Sequence, residues 1–374
     1  MIEGLNRVLV VGGGIGGMAC AIRLRQEGIE VDLVDLDPEW RVYGAGITIT
    51  GPTLRAYRAL GLLDQIKAEG AVTNGTHLRH FSGAMIAELD EPSIEEGLPA
   101  TGGILRPVLH RIMSDAVRQS GTSVRLGLSV AALRPRPGGV DVDFTDGTAG
   151  AYDLVIGADG INSKVRALTF PDHVRPRYTG QSSWRVLADR PAGFDKGEFY
   201  LGHANMAGIT ACSPDKVYAF VLNSDTEKKR VDPPEQLDIL RGLMADFGGN
   251  LGTIREGLGA DSAIVYRPLE AAIQPKPWHV GRVVLVGDAA HATTPHLASG
   301  AGIAVEDALV LVEELAAHAP AIEAGLSAFT ERRFERCKFV VETSVAIGDA
   351  QIAGDSAQAG KMTGQALHAL AEPI

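Results

Sequence analysis

The chain has 374 residues, 45% of them hydrophobic and 22% charged, the make-up of a folded enzyme with a substantial core rather than of a disordered or fibrous chain. Its net charge of −11 at pH 7 argues against nucleic acid and anionic membrane as partners. Its apolar runs fall short of the ~18 residues a membrane span needs, and Val8 to Val11 is too short for a secretion signal, so a cytoplasmic protein is expected.

Arg7 to Val11 reads as a buried strand stopped by glycine. A helix is expected from about Gly16 to Gln26, closed by Gly28, and Val31 to Asp35 forms the next strand. Strand, glycine turn, helix and strand make a βαβ unit with a right-handed crossover. Gly12, Gly14 and Gly17 form GxGxxG in that turn. The first glycine allows a tight turn, the second lets a pyrophosphate approach the backbone, and the third lets helix pack on strand. The helix N-terminus offers N–H groups to phosphate. Asp35, about twenty residues on, is placed to accept from ribose hydroxyls. By itself this motif allows FAD or NAD.

A further helix is expected from about Pro107 to Ser120, then a buried strand at Tyr152 to Gly157. GADGINSKVR follows, setting Asp159 at the strand's edge, with Asn162 or Ser163 as helix cap. Between about Tyr178 and Tyr266 the texture becomes short, alternating and turn-separated, the pattern of an antiparallel sheet. A helix at about Pro234 to Phe247 interrupts it. Val283 to Gly287 is another glycine-ended strand, and helices dominate from about Ser299. In GDAAHATTPHLASGAG, Asp288 follows the strand, while Gly300 and Gly302 open a long helix. That arrangement suits a flavin: an acid for the ribityl chain, and a helix N-terminus for the ring edge that turns anionic on reduction. His291 reads as a turn histidine bonded to backbone, and Glu306, Asp307 and Arg185 as structural residues. Cys20, Cys212 and Cys337 are expected to be buried free thiols with no metal site.

The expected fold is α/β: a Rossmann-like nucleotide-binding domain from the discontinuous segments 1–75, 100–177 and 267–345, an inserted antiparallel-sheet substrate domain from 76–99 and 178–266, and a C-terminal helical segment. The glycine- and alanine-rich tail, 346–374, is expected to be poorly ordered at its end.

Taken together and in this order, the three glycine segments resemble the single-component FAD-dependent aromatic hydroxylases, the p-hydroxybenzoate hydroxylase-like flavoprotein monooxygenases, and most closely their salicylate and 6-hydroxynicotinate hydroxylase type. GAGI (Gly44 to Ile47), LRPVLHRIM (Leu105 to Met113) and YTGQSSWR (Tyr178 to Arg185) match weaker family segments. The resemblance implies FAD as cofactor, and NADH or NADPH as transient electron donor. It places Gly12, Gly14 and Gly17, with Ile15 and Gly16 between them, on the pyrophosphate and Asp35 on the adenosine ribose. Arg41 and Arg106 would lie along the cofactor, Asp159 would serve the FAD and nicotinamide regions, and Asp288 would hold the ribityl hydroxyls. Pro295 and the backbone from Ser299 through Gly300 and Ala301 to Gly302 would border the isoalloxazine. Asp35 is followed by Leu36 where Glu–Arg is common, and Thr48 stands where some relatives carry a catalytic histidine.

The implied reaction is hydroxylation of a small aromatic or heteroaromatic compound, using molecular oxygen through a flavin hydroperoxide. An electron-rich phenol reacts faster as its anion, so a partner for its hydroxyl is expected. Tyr218 and His296 are the candidate catalytic residues, and Thr48, Tyr200, His203, Tyr218 and Phe220 the candidate substrate contacts. Rival readings are a flavin-dependent reductase that uses no oxygen and a non-catalytic flavin-binding protein. A halogenase is disfavoured, since Trp184 stands alone where a Trp-x-Trp motif is expected. The state is expected to be monomer or homodimer.

Overall fold

The computed structural model describes residues 2–42, 44–91 and 93–374. The elements that build the site are, in chain order, β1 (Arg7–Val11), α1 (Ile15–Gln26), β2 (Glu30–Asp35), β3 (Gly46–Thr50), α2 (Arg106–Gln119) and β4 (Leu154–Gly157). They continue with β5 (Arg177–Asp189), β6 (Gly197–Leu201), β7 (Met206–Ala211), β8 (Lys216–Ser224), β9 (Ile264–Ile273), β10 (Val283–Leu285), α3 (Gly300–Ala317), α4 (Ile322–Ile352) and α5 (Ser356–Ala371).

Val8, Leu9, Val10 and Val11 are all buried, as a strand covered on both faces must be. β1 pairs in parallel with β2 on one side, Val8 opposite Val31, and with β4 on the other, Val8 opposite Leu154. The six-stranded sheet runs His279–Val280, β10, β4, β1, β2, Ser123–Leu126. Every pairing is parallel except that of the short His279–Val280 strand. The chain leaves β1 toward β2 but returns across it to β4. In such sheets a crevice opens outside the carboxyl ends of the strands where the order reverses, here beside Gly12 and Ala158.

A second, seven-stranded sheet takes the order β9, β5, β8, β7, β6, Gly75–His80, Met85–Asp90. Arg185 on β5 lies opposite Phe220 on β8 and Val265 on β9, while its neighbour Trp184 lies opposite Val221 and Tyr266. Side chains alternate between faces along a strand. One face therefore carries Ser183, Arg185, Tyr218, Phe220, Phe199 and Arg267. The other carries Trp184, Val186, Val221, Ile209 and Tyr200, packed under Leu240, Met244, Phe247 and Leu251 of the helical connection.

Two expectations change here. Tyr200 donates to Glu198 Oε2 (2.7 Å) and accepts from the Leu251 amide (3.2 Å) within that second core. His203 packs against Phe247 at 4.7 Å between ring centroids and accepts from the Asn205 amide. Neither lines the cleft described below. Alternation turns Tyr200 away and brings its neighbour Phe199 in. The C-terminal stretch is also helical rather than loose. Asp355 caps α5 by accepting from the Gln358 amide (2.9 Å), and Ala359, Ala366 and Leu370 are buried.

No helix among the described residues is long and apolar enough to cross a membrane. Tyr200→Phe should lower the unfolding free energy by about 1–3 kcal/mol, because it leaves a buried Glu198 and amide short of a partner. Urea titration reads that loss, and cleft-ligand affinity should stay at the native value.

Candidate active site

The carboxyl ends of β1 and β4 and the arginine-bearing face of the second sheet enclose a cavity of about 720 Å³. Its far end is made largely of backbone. Gly12 has φ +106°, and a side chain there would strike the Ala158 carbonyl. A side chain at Gly17 would strike the Gly12 carbonyl, whereas Gly14 faces open space on the cleft. Met18 donates to Gly14 (2.9 Å), which starts α1 immediately beyond the turn. Asp35 holds the turn from the side: its carboxylate accepts from the amides of Gly13 (2.7 Å) and Asp37 (2.8 Å). The Trp40 indole donates to the Gly13 carbonyl (2.8 Å) and meets His110 edge-on at 5.5 Å. Gly13, Trp40 and His110 all line the cleft and escape a reading built on GxGxxG. The uninterrupted run Gly12–Gly13–Gly14 was their one signal, since a Cβ at Gly13 would meet the indole. Arg41 also lines this end and pairs with Asp37 (2.9 Å).

The middle motif works differently from its expected role. The Asp159 carboxylate turns into the following helix, accepting from the amides of Lys164 (2.7 Å) and Val165 (3.0 Å) and from the Ser163 hydroxyl. Ser163 in turn caps the Arg166 amide (2.9 Å). Gly160, Ile161 and Asn162 line the cleft, and Asp159 does not. The carboxylate is taken by backbone donors that would otherwise be unpaired. Arg166 donates to the carbonyls of Ile161 (2.6 Å) and Ala289 (2.7 Å), which ties this loop to the third motif.

In the third motif Asp288 faces the cleft with no side-chain hydrogen bond or ion pair among the described residues. Protein mass around it pushes its carboxyl up, against the pull of His291 and Arg106. Gly300 and Ala301, at the first turn of α3, also line the cleft, as do Pro295 and Ala298. The Ser299 hydroxyl donates to Leu297 O (2.8 Å) and caps nothing. Gly302 instead packs against Thr53.

Behind this loop lies a buried ionic network. Asp307 accepts from the Gly287 amide (2.8 Å), from His291 Nε2 (2.6 Å) and from Arg333 Nε (2.9 Å). Arg333 also reaches Glu306 (2.9 Å), which Arg336 holds from the other side (2.9 Å). His291 therefore bonds a buried carboxylate rather than backbone, and Glu306 and Asp307 are structural as expected. Burial would raise the Asp307 pKa, but His291 and Arg333 hold it down at about 2. Burial would lower that of His291, yet Asp307 and the Cys337 sulfur keep it well above its ordinary value. His291, Asp307 and Cys337 sit close enough to ligate a metal, but the Arg333 guanidinium already supplies the cation. All three cysteines are free and buried.

The near end of the cleft is aromatic and cationic. Tyr218 hydrogen bonds Thr48 of β3, which also contacts Thr210 (3.3 Å). Burial raises the Tyr218 pKa, partly offset by Thr48 and Arg185. Phe220 and Phe199 meet edge-on at 5.8 Å. His296 Nδ1 pairs with Thr294 (2.9 Å), and its buried Nε2 has no partner. Burial lowers its pKa to about 4, against a nearby Gln351, so it is neutral at pH 7. Thr48, Tyr218, Phe220 and His296 thus all line the cleft. Arg106, whose buried Nε is unpaired, joins them with Arg185 and Arg267. Arg185 is a cleft residue, not the structural one expected.

Residues 6–344 match the family model described as an FAD binding domain. The chain belongs to this FAD-binding family. Its relatives include aurachin C monooxygenase/isomerase of Stigmatella aurantiaca, 32% identical over 91% of this chain and 88% of that protein. Another is 3-amino-4-hydroxybenzoate 2-monooxygenase of Streptomyces cremeus, 31% identical over 90% and 85%. Klebsiella pneumoniae HpxO, crystallised with FAD and uric acid, shares the fold of this flavoprotein: TM-score 0.85 at 24% identity, over 99% of this chain and 93% of that one.

Removing the flavoprotein's central carboxylate by Asp307→Ala strands a buried histidine and arginine, and should reduce unfolding free energy by about 3–5 kcal/mol. The network's contribution should also depend on pH. The depressed carboxyl of Asp307 stabilises above about pH 4 and loses this as pH falls toward about 2. The raised His291 stabilises fully below about pH 6.5 and loses this as pH rises through its native pKa. Denaturant midpoints across pH should decline on both sides of that window, and His291→Asn should flatten the alkaline side.

Proposed function

We propose that this protein is an FAD-dependent monooxygenase that hydroxylates a small aromatic or heteroaromatic compound with NAD(P)H and molecular oxygen. The observation that carries the reading is the cleft itself, with a backbone-built nucleotide end and an aromatic roof over the third motif. When bound, FAD accepts hydride from NAD(P)H and activates oxygen for transfer to the ring.

The chain's own residues divide that labour. The open face of Gly14, with Ile15 and Gly16 at the start of α1, receives the pyrophosphate. Asp35 keeps lone pairs for the adenosine ribose, and the unpartnered Asp288 carboxylate fits the ribityl hydroxyls. Arg41 and Arg106 lie along the cofactor, Arg106 bringing an unpaired Nε. The uncapped first turn of α3, at Gly300 and Ala301, offers N–H groups and a partial positive charge to the reduced ring. Phe199, Phe220, Met206 and Leu222 form an apolar roof that keeps water from the reacting centre. Tyr218 keeps its proton at neutral pH and positions a substrate hydroxyl through the Thr48 contact. His296, neutral, borders the same space with its Nε2 turned back toward Gly348 of α4. Relatives that act on an aminohydroxybenzoate and a urate hydroxylase support an aromatic or heteroaromatic substrate.

Substrate-dependent NAD(P)H oxidation should be matched by oxygen uptake and by a hydroxylated product. Flavin reduction without oxygen-linked product would turn the reading to a reductase, and an inert flavin to a binding protein. Asp288→Ala should weaken FAD binding about tenfold or more, since it removes charge-assisted hydrogen bonds; fluorescence titration of the apoprotein with FAD measures this.

A further inference from the structure

The roof sheet carries an apolar row that does not stop where the cleft stops. Phe220 of β8 lies opposite Gly208 of β7, and Gly208 opposite Phe199 of β6. Phe199 in turn lies opposite Leu78 of the strand Gly75–His80, and Leu78 opposite Ala87 of the edge strand Met85–Asp90. Directly opposed residues share a face, so the whole row looks the way Phe220 and Phe199 look. From Phe220 to Ala87 it crosses four strand gaps, about 19 Å at the usual strand spacing. A Cβ at Gly208 would meet the Phe220 ring, so that ring fills the row where the glycine leaves it bare. A second row runs beside the first, two residues along each strand. Leu222 of β8 lies opposite Met206 of β7, and Leu201 stands two residues from Phe199 on β6. Rows so placed are about 7 Å apart, which leaves a trough for one hydrocarbon chain laid across the strands.

Phe220, Phe199, Leu222 and Met206 line the cleft. Leu78 and Leu201 carry the trough beyond it; Leu78 is half-buried and Leu201 is 41% exposed. The packed core of this sheet lies on its other face. Among the described residues, Leu78, Phe199, Leu201, Met206 and Leu222 belong to none of the protein's apolar cores. The acids of the edge strand, Glu88 and Asp90, alternate with Ala87 and so point to the other face, where Lys196 holds both (2.5 and 3.0 Å). A single exposed leucine needs no explanation. Two aligned apolar rows that begin inside a cleft and run out of it call for an apolar occupant.

We propose that this trough takes a hydrocarbon tail carried by the enzyme's own substrate. The substrate is then an aromatic or heteroaromatic ring, seated beside Phe220, with a long aliphatic chain lying across Phe199 toward Leu78 and Leu201. Continuity selects this occupant: a molecule with its ring in the cleft is already at one end of the trough, whereas a surface or a second chain resting on Leu201 has no need of a row that leads inward. The inference rests on the hydroxylase reading for the ring and adds what the ring carries.

The test uses the FAD-loaded protein and three ring heads, phenol, indole and quinoline, each bearing a straight chain lengthened from methyl to nonyl. Binding is read from perturbation of the flavin absorption spectrum. For at least one head, affinity should rise about two- to threefold per added methylene, as expected of a chain that buries part of its surface. Leu78→Asp and Leu201→Asp should flatten that rise, with the methyl compound as the reference within each variant; Leu201 is exposed enough for the fold to accept the change. Val280→Asp, at an equally exposed apolar position on the other sheet, should keep the rise. Affinity independent of chain length for all three heads would overturn the proposal. So would a rise that both leucine variants leave intact, since the chain would then lie elsewhere. A flat series together with pelleting on phosphatidylcholine vesicles that Leu201→Asp abolishes would assign the trough to a membrane surface instead. Because the readout is binding, the two readings fail separately. A tailed ring that binds with the expected slope but provokes no oxygen uptake sinks the hydroxylase reading and leaves the trough; oxygen-coupled turnover of short-chained rings on a flat series does the reverse.

Discussion

The carboxylate of Asp307 accepts from a backbone amide, an imidazole and a guanidinium in a place water does not reach. The amide is that of Gly287, the residue before Asp288; the imidazole belongs to the same loop; the guanidinium comes from α4. One buried acid therefore fixes the turn that aims Asp288 into the cleft, and binds it to α3 and α4 at once. A buried ionic cluster of this kind adds little net stability over a well-packed apolar one. What it supplies here is position. An apolar core would allow the glycine turn to relax by a fraction of an ångström, and a side chain aimed into a cleft tolerates little of that. Arg166 adds a second tie, holding the carbonyls of Ile161 and Ala289 together, so the two later glycine loops are joined into one wall.

On the opposite side of the cleft the controlling constraint is the two-residue period of a strand. The roof sheet is covered on one face by helices and open to the cleft on the other, so each residue's fate follows from its parity. Phe199 and Tyr200 are adjacent and chemically alike, yet one looks at the cleft and the other is locked to Glu198 and Leu251 in a separate core. Gly208 shows the same logic from the backbone side: a Cβ there would meet the Phe220 ring, so the missing side chain makes room for an aromatic one on the roof.

These two constraints explain what the sequence discloses and what it hides. The βαβ unit, the order of glycine turns and the long helix after Ser299 are local features, written in period and in glycine placement, and they reappear in the structure with boundaries shifted by a residue or so. Asp35 and Asp288 are legible because a strand end followed by a turn leaves few directions for a side chain. Asp159 has the same sequence setting and turns the other way, because the short helix behind it needs a cap; competing demands on one carboxylate are not visible in a motif. Gly13, Trp40 and His110 were hidden because their contacts join residues far apart in sequence. His203 lies in the turn between Leu201 and Met206, where no period applies, and Tyr200 and Arg185 escape the sequence for a plainer reason. Their strands alternate, but the parity of a strand relative to the cleft depends on which face the helices cover, and that is a property of the assembled sheet.

The same contrast accounts for the chemistry of the two ends. The nucleotide end is built from amides, helix N-termini and the absence of side chains, so its specificity is geometric and changes little with the residues around it. The roof is built from side chains on a rigid sheet, where exchanging one residue changes charge without disturbing the fold. At the near end Thr48 of β3 and Tyr218 of β8 meet through their hydroxyls. That contact ties roof to floor beside the arginines of the cleft. Arg185, Arg267 and Phe220 can therefore be exchanged while the glycine turns stay in place, because none of those side chains supports the turns or the Asp307 network.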